Sequence, residues 1–248
     1  TLRGFRDILI VPSFRGIPLY GTEVSYLYNH EVLLLAVRNN LESGLSRVIK
    51  RTFDFLFASL LAIPTLILLI PFLILIYLED GSPVFYTQER LGLGGKPFRM
   101  IKLRSMRRDA EDILASWKET DSLEWSNYVK SNFKLQDDPR LLSIGKFIRR
   151  SSMDELPQLF NVLRGEMSLV GPRPLLPREE DLYGTGYALY KATRPGITGL
   201  WQVSGRSATS FDQREALDVW YIRNWSLGFD LIILIRTVSV VLLSRGAY

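Results

Sequence analysis

Two adjacent carboxylates, Asp154 and Glu155, lie in the stretch RRSSMDELPQLFNVLRGEMSLVGPRP, where Arg149 and Arg150 precede them. A carboxylate surrounded by cations has two chemical uses, because it can hold Mg²⁺ through its oxygens or attack phosphorus as a nucleophile. Phosphoryl transfer needs positive charge around the phosphate oxygens, which arginine side chains and Mg²⁺ supply. The spacing therefore predicts a candidate site that handles phosphate groups.

The same two acids also have a structural interpretation. Ser152 and Glu155 fit a capping box, with Ser152 as the N-cap of a helix, and simple salt bridging would also explain the pair. In that box Pro157 would fall beyond the first helical turn, which proline prefers. A helix from Pro157 to Gly165 agrees better with the backbone preferences of proline and glycine. It places both acids just before the helix N-terminus. Its apolar stripe would consist of Leu156, Leu159, Phe160 and Leu163. From the residues alone, both interpretations remain open.

Two further loops carry arginine in stiff or glycine-rich surroundings. Pro172-Arg173-Pro174 is an extended stretch that fixes one guanidinium, as binding of a phosphate or a flat base requires. A second loop runs from Arg194 to Arg206 with the sequence RPGITGLWQVSGR. Each of these loops, taken alone, is also consistent with a plain turn.

A charge-free stretch of 24 residues runs from Phe55 to Leu78. As a helix it would be about 36 Å long, enough to cross a bilayer. Pro64 and Pro71 interrupt it, and positive charge near a membrane segment prefers the cytoplasmic side. Basic residues flank both ends: Arg47, Lys50, Arg51, Arg90, Lys96 and Arg99. The pattern fits a helix that enters the membrane and returns, and it also fits a kinked helix that crosses.

The remaining elements are read from their periodicity. Residues 83–90 and 96–106 read as two strands joined by the loop LGLGG, and Pro97 after Lys96 argues against a phosphate-binding P-loop. Helical segments are predicted in residues 109–131, 137–150 and 209–227. Residues 32–37 lie in a segment that could be a buried strand or a short helix.

The last segment, residues 229–246, has the composition of an interfacial helix. Asp230, Thr237, Ser244 and Arg245 share one arc at helical spacing, whereas Arg236 and Ser239 break the pattern. Just before it, Trp220, Tyr221 and Trp225 lie close together, as in an interfacial aromatic belt or in a protein core.

The overall composition narrows the class of protein. The chain has 248 residues, 47% of them apolar, and a formal net charge of +5, which favours phosphate-bearing partners such as nucleic acid, anionic lipid or nucleotide. The absence of cysteine excludes disulfides and a thiolate zinc site. The single histidine, His30, fits a structural role better than a catalytic one.

Four stretches together carry a family resemblance: KRTFDFLFASLLAIP, GSPVFYTQERLGLGGKPFRMIKLRSM, IRRSSMDELPQLFNVLRGEMSLVGPRPLL and RPGITGLWQVSGR. The chain resembles the bacterial sugar transferases, the monotopic class of polyprenol-phosphate phosphoglycosyl transferases, over about four-fifths of its length. The resemblance implies a mostly helical α/β membrane-associated domain over residues 47–248, with a small β-hairpin and amphipathic interfacial helices. Residues 53–78 would form a re-entrant helix broken at Pro64. Residues 1–46 would be the remnant of a Rossmann-like domain.

The resemblance also implies an activity. A family member of this kind would transfer hexose-1-phosphate, here galactose-1-phosphate with glucose-1-phosphate as the alternative, from a UDP-sugar to undecaprenyl phosphate. UMP would leave, and a covalent aspartyl phospho-sugar would form on the way. The expected location is the cytoplasmic leaflet of the bacterial inner membrane, at the first membrane step of O-antigen or other surface polysaccharide synthesis. Mg²⁺ is the expected cofactor, nucleic acid is not an expected partner, and a homodimer is compatible with the sequence.

Roles for individual residues follow from the same resemblance. Asp154 would be the nucleophile and a Mg²⁺ ligand, and Glu155 would be its partner. The residues expected to hold phosphate or nucleotide are Lys102, Arg104, Arg149, Gln158, Pro172, Arg173, Pro174, Arg194 and Arg206. Two positions depart from the family pattern. Ile63 stands where many relatives carry a serine before Pro64, and Leu103 replaces an aromatic residue after Lys102.

Two other classes of function remain as alternatives. A membrane glycosyltransferase of another kind would transfer the sugar without its phosphate and release UDP. A membrane-anchored interaction protein would carry the same motifs without turnover.

Overall fold

The computed structural model describes residues 22–27, 32–37, 41, 43–130, 135, 137–204 and 210–242. The first two strands, β1 (Thr22–Leu27) and β2 (Val32–Val37), form an antiparallel pair in which Thr22 lies opposite Val37. The strand alternative for residues 32–37 is therefore confirmed. His30 lies outside the described residues, and the Rossmann-like origin of residues 1–46 stays a prediction.

Helix α1 (Gly44–Asp80) has 37 residues and begins at Ser43, whose side chain accepts a hydrogen bond from the Ser46 N–H. At helical rise it is about 55 Å long along its path. Pro64 and Pro71 both lie inside it, so the interruption predicted at Pro64 is not seen as a gap between two helices. Prolines are tolerated inside membrane helices because neighbouring groups satisfy the freed carbonyls. The helix also begins well before residue 53, the predicted start.

One face of α1 packs on the protein and most of its surface is exposed. Its buried residues recur along a single stripe: Lys50, Asp54, Ala58, Thr65, Leu69 and Ile76. Large apolar side chains are exposed on the other faces, among them Leu60 (71%), Ile63 (69%) and Ile67 (64%). Within the described residues, α1 is the one helix long and apolar enough to cross a membrane, and 17% of its most apolar window is buried.

A β-hairpin follows α1. Strand β3 (Phe85–Leu91) pairs antiparallel with β4 (Pro97–Leu103) around a 3₁₀ turn at Leu93–Gly95, as predicted. Along β4, Phe98 and Met100 are buried in the main core cluster. Because side chains alternate between the two faces of a strand, Lys102 shares their face.

Four helices come next. They are α2 (Ala110–Glu119), α3 (Leu123–Lys130), α4 (Gly145–Arg150) and α5 (Gln158–Arg164). Helix α5 follows Pro157 and ends at Gly165, whose φ of 83° is a left-handed conformation that glycine adopts easily. The predicted bounds of α5 are confirmed. Its most deeply buried apolar residue is Val162, which the predicted stripe did not include.

The chain after α5 forms a short parallel pair and a helical layer. Strand β5 (Ser168–Val170) pairs with β6 (Gly196–Thr198). Between them lie 3₁₀ turns at Pro177–Glu179 and Asp181–Gly186, followed by α6 (Tyr187–Lys191). Helices α7 (Leu200–Ser204), α8 (Phe211–Arg223) and α9 (Leu227–Leu242) complete the described fold.

Helix α9 turns two of its polar residues, Asp230 and Thr237, toward the protein. Asp230 is completely buried, and the Thr237 hydroxyl lies 2.7 Å from the Thr198 hydroxyl. The exposed surface of α9 is mostly apolar, with Leu231, Ile232, Ile235 and Val238, and it also carries Arg236 and Ser239. Of the predicted polar arc, Asp230 and Thr237 therefore face the protein. Ser244 and Arg245 lie outside the described residues.

The aromatic group before α9 divides between core and surface. Tyr221 and Trp225 are buried at 1% and 4% exposure, whereas Trp220 is 43% exposed. The core interpretation is thus correct for two of the three residues, and Trp220 keeps the exposure that an interfacial residue needs.

Two apolar clusters hold α1 against the rest of the molecule. The main cluster combines Ala58 of α1 with residues of α5, β5, α8 and α9, including Val162 and Ile233. A second cluster combines Leu69 and Ile76 of α1 with Leu103 and neighbouring residues of α4. The long helix is therefore packed on the same structural unit near both of its ends.

Candidate active site

The acid pair lies in a 3₁₀ turn, Met153–Glu155, between α4 and α5. The chain enters this turn through Ser152, which has a left-handed backbone (φ 56°, ψ 22°). That conformation costs a residue other than glycine about 1–3 kcal/mol and is concentrated at functional sites. The Ser152 side chain makes no capping hydrogen bond, so the capping-box interpretation is wrong.

Lys102 lies between the two acids. Its Nζ is 3.7 Å from Asp154 Oδ2 and 3.6 Å from Glu155 Oε1. It reaches them because β4 packs against both α5 and the 3₁₀ turn, with the Phe98–Met100–Lys102 face toward the core. The salt-bridge interpretation of the pair is therefore correct in part. These separations are longer than hydrogen bonds, so Lys102 supplies charge to both acids without fully satisfying either.

Arg149 comes from the last turn of α4 and is held by a neighbour of Lys102. Its Nε donates a 2.9 Å hydrogen bond to Ser105 Oγ, just after β4. Helix α4 can approach this strand end because residue 145 is glycine, since a Cβ there would collide with the Ser105 carbonyl oxygen. Arg150 has an exposed side chain. The structure thus gathers Lys102, Arg149 and the acid pair into one site.

The environment of Asp154 raises its pKa to about 6. Burial is the largest cause, because the side chain is 15% exposed and a carboxylate is less stable out of water. The charge of Lys102 lowers the pKa, the Glu155 carboxylate raises it, and Arg149 lowers it. Burial also lowers the pKa of Arg149 from its ordinary value. Asp154 is thus ionised at neutral pH, but its surroundings stabilise the carboxylate form less than water would.

The two carboxylates also fit a magnesium ion. Mg²⁺ keeps several waters and takes one or two protein carboxylates together with substrate phosphates. Asp154 and Glu155 offer two neighbouring carboxylates within reach of the same ammonium group. In the described part of the chain, no group of three or more His, Cys, Asp or Glu side chains comes together. A magnesium ion here would therefore depend on the substrate for much of its coordination.

Two predicted binding residues lie near this site but are buried in the fold. Arg104 is 6% exposed, and its Nη2 donates to the carbonyls of Asp80 and Gly81 at 3.3 and 2.7 Å. It therefore caps the carboxyl end of α1. Gln158, in the first turn of α5, is 3% exposed.

The Pro172-Arg173-Pro174 stretch forms a separate cluster. Both prolines are buried, and the Arg173 N–H donates to the Asp218 carboxylate at 3.2 Å. The Arg173 guanidinium lies 3.5 Å from Glu179 and over the Trp201 ring, which Arg214 also contacts. Burial raises the pKa of Asp218 to about 7. The result is an arginine-rich, aromatic-lined cluster beside the stiff loop.

Arg194 lies at the far end of α5 from the acid pair. Its Nε donates to the Gly165 carbonyl at 2.7 Å, while Arg51 donates to the carbonyls of Val162 and Leu163. Both guanidiniums therefore satisfy the carboxyl end of the helix that follows the acids. Arg206 lies outside the described residues.

A family model described as "Bacterial sugar transferase" matches residues 45–244. The chain belongs to the bacterial sugar transferase family. In this bacterial sugar transferase, the match includes α1, the β-hairpin, the acid pair and the Pro172-Arg173-Pro174 loop.

Relatives agree with that assignment. The chain is 47% identical over 247 residues to the UDP-galactose-lipid carrier transferase of Erwinia amylovora, covering 98% of this chain and 50% of the relative. It is 45% identical over 248 residues to the undecaprenyl-phosphate galactose phosphotransferase of Salmonella typhimurium, covering 98% and 51%. It is 40% identical over 209 residues to the UDP-glucose:undecaprenyl-phosphate glucose-1-phosphate transferase of Caulobacter vibrioides, covering 80% and 72%. The chain spans about half the length of the first two relatives.

Sequence reasoning missed several residues of this bacterial sugar transferase that shape the site. Ser105 fixes Arg149, and Ser152 turns the chain into the acid pair. Trp201 and Asp218 contact the Pro172-Arg173-Pro174 loop. A serine next to the basic β4 strand was a weak signal for Ser105. The others depend on contacts between residues distant in sequence, which have no local pattern.

Proposed function

We propose that this protein transfers hexose-1-phosphate from a UDP-sugar to undecaprenyl phosphate. The observation that carries the proposal is the under-neutralised Asp154 carboxylate, which lies beside Glu155 and Lys102 with Arg149 close by. The family and the printed names of the relatives supply the substrate classes. The chain spans about half the length of the first two relatives, so the proposal concerns the activity of this chain.

The proposed reaction has two displacement steps at one phosphorus atom. An Asp154 oxygen attacks the β-phosphorus of the UDP-sugar, a P–O bond forms, and the P–O bond to UMP breaks. An oxygen of undecaprenyl phosphate then attacks the same phosphorus, and the bond to Asp154 breaks. The products are UMP and undecaprenyl-diphosphate-sugar, and the carboxylate is restored. The first step needs an ionised Asp154, which a pKa of about 6 provides at neutral pH.

Charge around the phosphates would come from three groups. Lys102 supplies an ammonium between the acids, and Arg149, fixed by Ser105, supplies a guanidinium on the α4 side. Asp154 and Glu155 would hold Mg²⁺, which would offset negative charge on the diphosphate. Glu155 has a second effect, since its charge keeps the Asp154 pKa raised.

The arginine and tryptophan cluster around Arg173 is proposed as the nucleotide side of the site. A guanidinium suits phosphate, and an aromatic ring suits a flat base. Galactose is the proposed hexose, since the names of the two relatives at 45–47% identity specify galactose. Glucose is the alternative, because the 40% identical relative is named for glucose. The product would be the first lipid-linked intermediate of a surface polysaccharide such as O-antigen.

The membrane arrangement is also a proposal. At one end of α1, Lys50 pairs with Asp230 at 2.7 Å and Arg51 binds carbonyls of α5. At the other end, Asp80 pairs with Arg104 at 3.3 Å. A helix that crossed the bilayer would have these ends on opposite sides of about 30 Å of hydrocarbon.

Because α5 and β4 are hydrogen-bonded to each other, both ends of α1 are held by one structural unit. This supports a re-entrant helix, assisted by the apolar side chains exposed on α9. The basic residues that flank α1 favour the cytoplasmic leaflet of the inner membrane. Cysteines placed at Leu45 and Lys96 in this cysteine-free chain should both react with a membrane-impermeant reagent only from the cytoplasmic side. Labelling from opposite sides would restore the crossing helix.

The activity is tested by following products. Purified full-length protein with UDP-galactose, undecaprenyl phosphate and Mg²⁺ should release UMP, and UDP-glucose should be the poorer donor. Release of UDP would indicate a glycosyltransferase that leaves the phosphate behind. Without the lipid acceptor, intact mass should show a phospho-sugar on the wild type and none on Asp154→Asn. Full turnover by Asp154→Asn would overturn the nucleophile assignment and leave an interaction protein or another mechanism.

A further inference from the structure

Asn161 is a completely buried polar side chain in the middle of α5. Its Oδ1 accepts a hydrogen bond from the Ile101 N–H at 3.0 Å, and its Nδ2 donates to the Arg99 carbonyl at 2.8 Å. The same Nδ2 donates to Glu166 Oε2 at 2.6 Å. The Arg99 carbonyl and the Glu166 carboxylate are acceptors and the Ile101 N–H is a donor, so these partners fix which end of the carboxamide is Nδ2 and which is Oδ1. Three of its four hydrogen-bonding positions are therefore used.

The side chain takes the place of a third strand. On β4, the Arg99 carbonyl and the Ile101 N–H are the two groups that a neighbouring strand would bind together. A carboxamide offers one donor and one acceptor, so Asn161 satisfies that pair as a strand residue would. The free edge of β4 is thereby closed by a helix, and the position of α5 along β4 is fixed to a single register.

That register bears directly on the acid pair. Lys102 follows Ile101 on β4, and the 3₁₀ turn with Asp154 and Glu155 leads through Pro157 into α5. The two Lys102 ion-pair separations, 3.7 and 3.6 Å, therefore depend on how α5 and β4 are aligned. A shift of one residue along a strand is about 3.3 Å and turns every side chain to the other face.

We propose that Asn161 is a positioning residue, which sets the distance between Lys102 and the acid pair by locking α5 to β4. This inference rests on the proposed function, because the effect of the distance between Lys102 and the acid pair is measured as the rate of sugar-phosphate transfer. Asn161 itself is too deeply buried to touch substrate.

The test uses full-length protein and two variants. Asn161→Leu keeps the side-chain size but removes both hydrogen bonds to β4. The matched control is Tyr221→Phe, which removes a buried hydroxyl with bonds to Val170 and Asp230, away from the acid pair.

Loss of about 1 Å of alignment lowers turnover by about 30–100-fold, so Asn161→Leu should reduce kcat by that factor. The KM for UDP-galactose should stay within about threefold, because uniform binding is unchanged. Tyr221→Phe should keep kcat within about threefold of wild type when corrected for the folded fraction. A merely structural Asn161 would lower the folded fraction and leave kcat per folded molecule unchanged, which would overturn the proposal.

A double-mutant cycle tests whether Asn161 acts through Lys102. In a Lys102→Met background, Asn161→Leu should lower kcat by no more than about threefold further, because there is no longer a Lys102 ammonium whose distance to the acid pair could change. Fully additive losses would show that Asn161 acts by another route and would contradict the proposal.

Hydrogen exchange separates this inference from the proposed function. The Ile101 N–H in the 97–103 segment should exchange at least about tenfold faster in Asn161→Leu than in wild type or Tyr221→Phe, because its acceptor is gone. If wild type released no UMP but this exchange effect held, the proposed function would fail while the α5–β4 lock stood. Unchanged exchange would overturn the lock whatever the activity.

Discussion

Two carboxylate sites in this molecule differ in how well their charges are satisfied. Asp230 is completely buried and accepts hydrogen bonds from Lys50 Nζ at 2.7 Å, Tyr221 OH at 2.7 Å and Trp225 Nε1 at 3.0 Å. Asp154 is partly exposed and has Lys102 at 3.7 Å. Asp230 has three donors at hydrogen-bonding distance, whereas Asp154 has a loose ion pair with Lys102 and a hydrogen bond with its own backbone.

The difference separates a structural acid from a reactive one. The Asp230 network joins α1, α8 and α9 and continues through Lys50 to Asp54, which accepts from Ser168 Oγ at 2.7 Å. Three donors bind the Asp230 oxygens and the side chain is completely buried, so it has little capacity to attack a substrate. Asp154 keeps lone pairs free at a site whose burial raises its pKa, which is how a carboxylate retains reactivity. Substitutions at Asp154, Asp230, Lys102 and Ser105 test this contrast.

The largest expected effect is that of Asp154→Asn. Loss of the nucleophile should lower kcat by about 10³-fold or more. The same change should stabilise the protein by about 1–3 kcal/mol at pH 7–8, because the folded-state pKa lies about two units above the ordinary value of 3.8. An acid with a raised pKa destabilises the fold when ionised, so the gain should shrink as pH falls through 6 and vanish below about 4.

Thermal unfolding of wild type and Asp154→Asn across this pH range measures the stability effect. A variant that was less stable than wild type at pH 7.5 would show that Asp154 is a satisfied acid like Asp230. The contrast between the two sites would then be lost.

Asp230→Asn should have the opposite pattern. It leaves the Lys50 ammonium buried without its closest counter-charge, which costs about 3–5 kcal/mol in the free energy of unfolding. Turnover per folded molecule should change little. Denaturant unfolding measures the loss, with Asp212→Asn on the exposed start of α8 as the control, for which a change within about 0.5 kcal/mol is expected. Equal stability of the two variants would contradict the structural role of the network.

Lys102→Met should lower kcat by about 10–100-fold, because positive charge at the phosphates is lost. Since the Lys102 charge lowers the Asp154 pKa, its removal should also move the acid limb of the pH–rate profile from near pH 6 to higher pH. Lys146→Met, which breaks an exposed pair with Asp137, is the control and should leave the profile unchanged. An unmoved acid limb in Lys102→Met would mean that the limb reports another group.

The smallest effect is expected for Ser105→Ala. Arg149 would remain but would lose the hydroxyl that fixes its Nε, so kcat/KM for the UDP-sugar should fall by about 3–10-fold. Ser116→Ala removes an exposed hydroxyl on α2 and should have no effect on kinetics. A loss as large as that of Lys102→Met would show that Ser105 does more than orient Arg149.

Some elements of this fold were predictable because their signals are local. Pro157 and Gly165 bound α5 through backbone preferences that act within one turn, and the bounds are confirmed. The hairpin β3–β4 was predictable from two strand-like runs around a glycine-rich loop. Ser210 and Gln213 form the reciprocal cap of α8, another short-range signal.

The candidate site was predictable only in part. The acid pair and the basic residues around it were identified from their types and from the family resemblance. Their grouping was not fully predictable, because Arg104 and Arg194 bind carbonyls at helix ends instead of joining Lys102 and Arg149. An arginine near a motif has the same sequence signature whether it binds phosphate or caps a helix.

The inward-facing acid of α9 is a further case. The spacing of Asp230 and Thr237 showed that they share a face, yet not that this face is buried. Lys50 reaches Asp230 from 180 residues away in sequence, and its positive charge offsets the free-energy cost of burying the carboxylate.

The sequence by itself determined the family, the long apolar helix, the hairpin and the acid pair ahead of α5, since composition, spacing and short-range backbone preference are properties of neighbouring residues. Only the tertiary structure decided which acid is satisfied and which is left reactive. That distinction depends on distances from each carboxylate to donors on other elements, such as Tyr221 and Trp225 for Asp230 and Lys102 for Asp154. Those distances exist only once α1, β4, α5 and α9 have packed together.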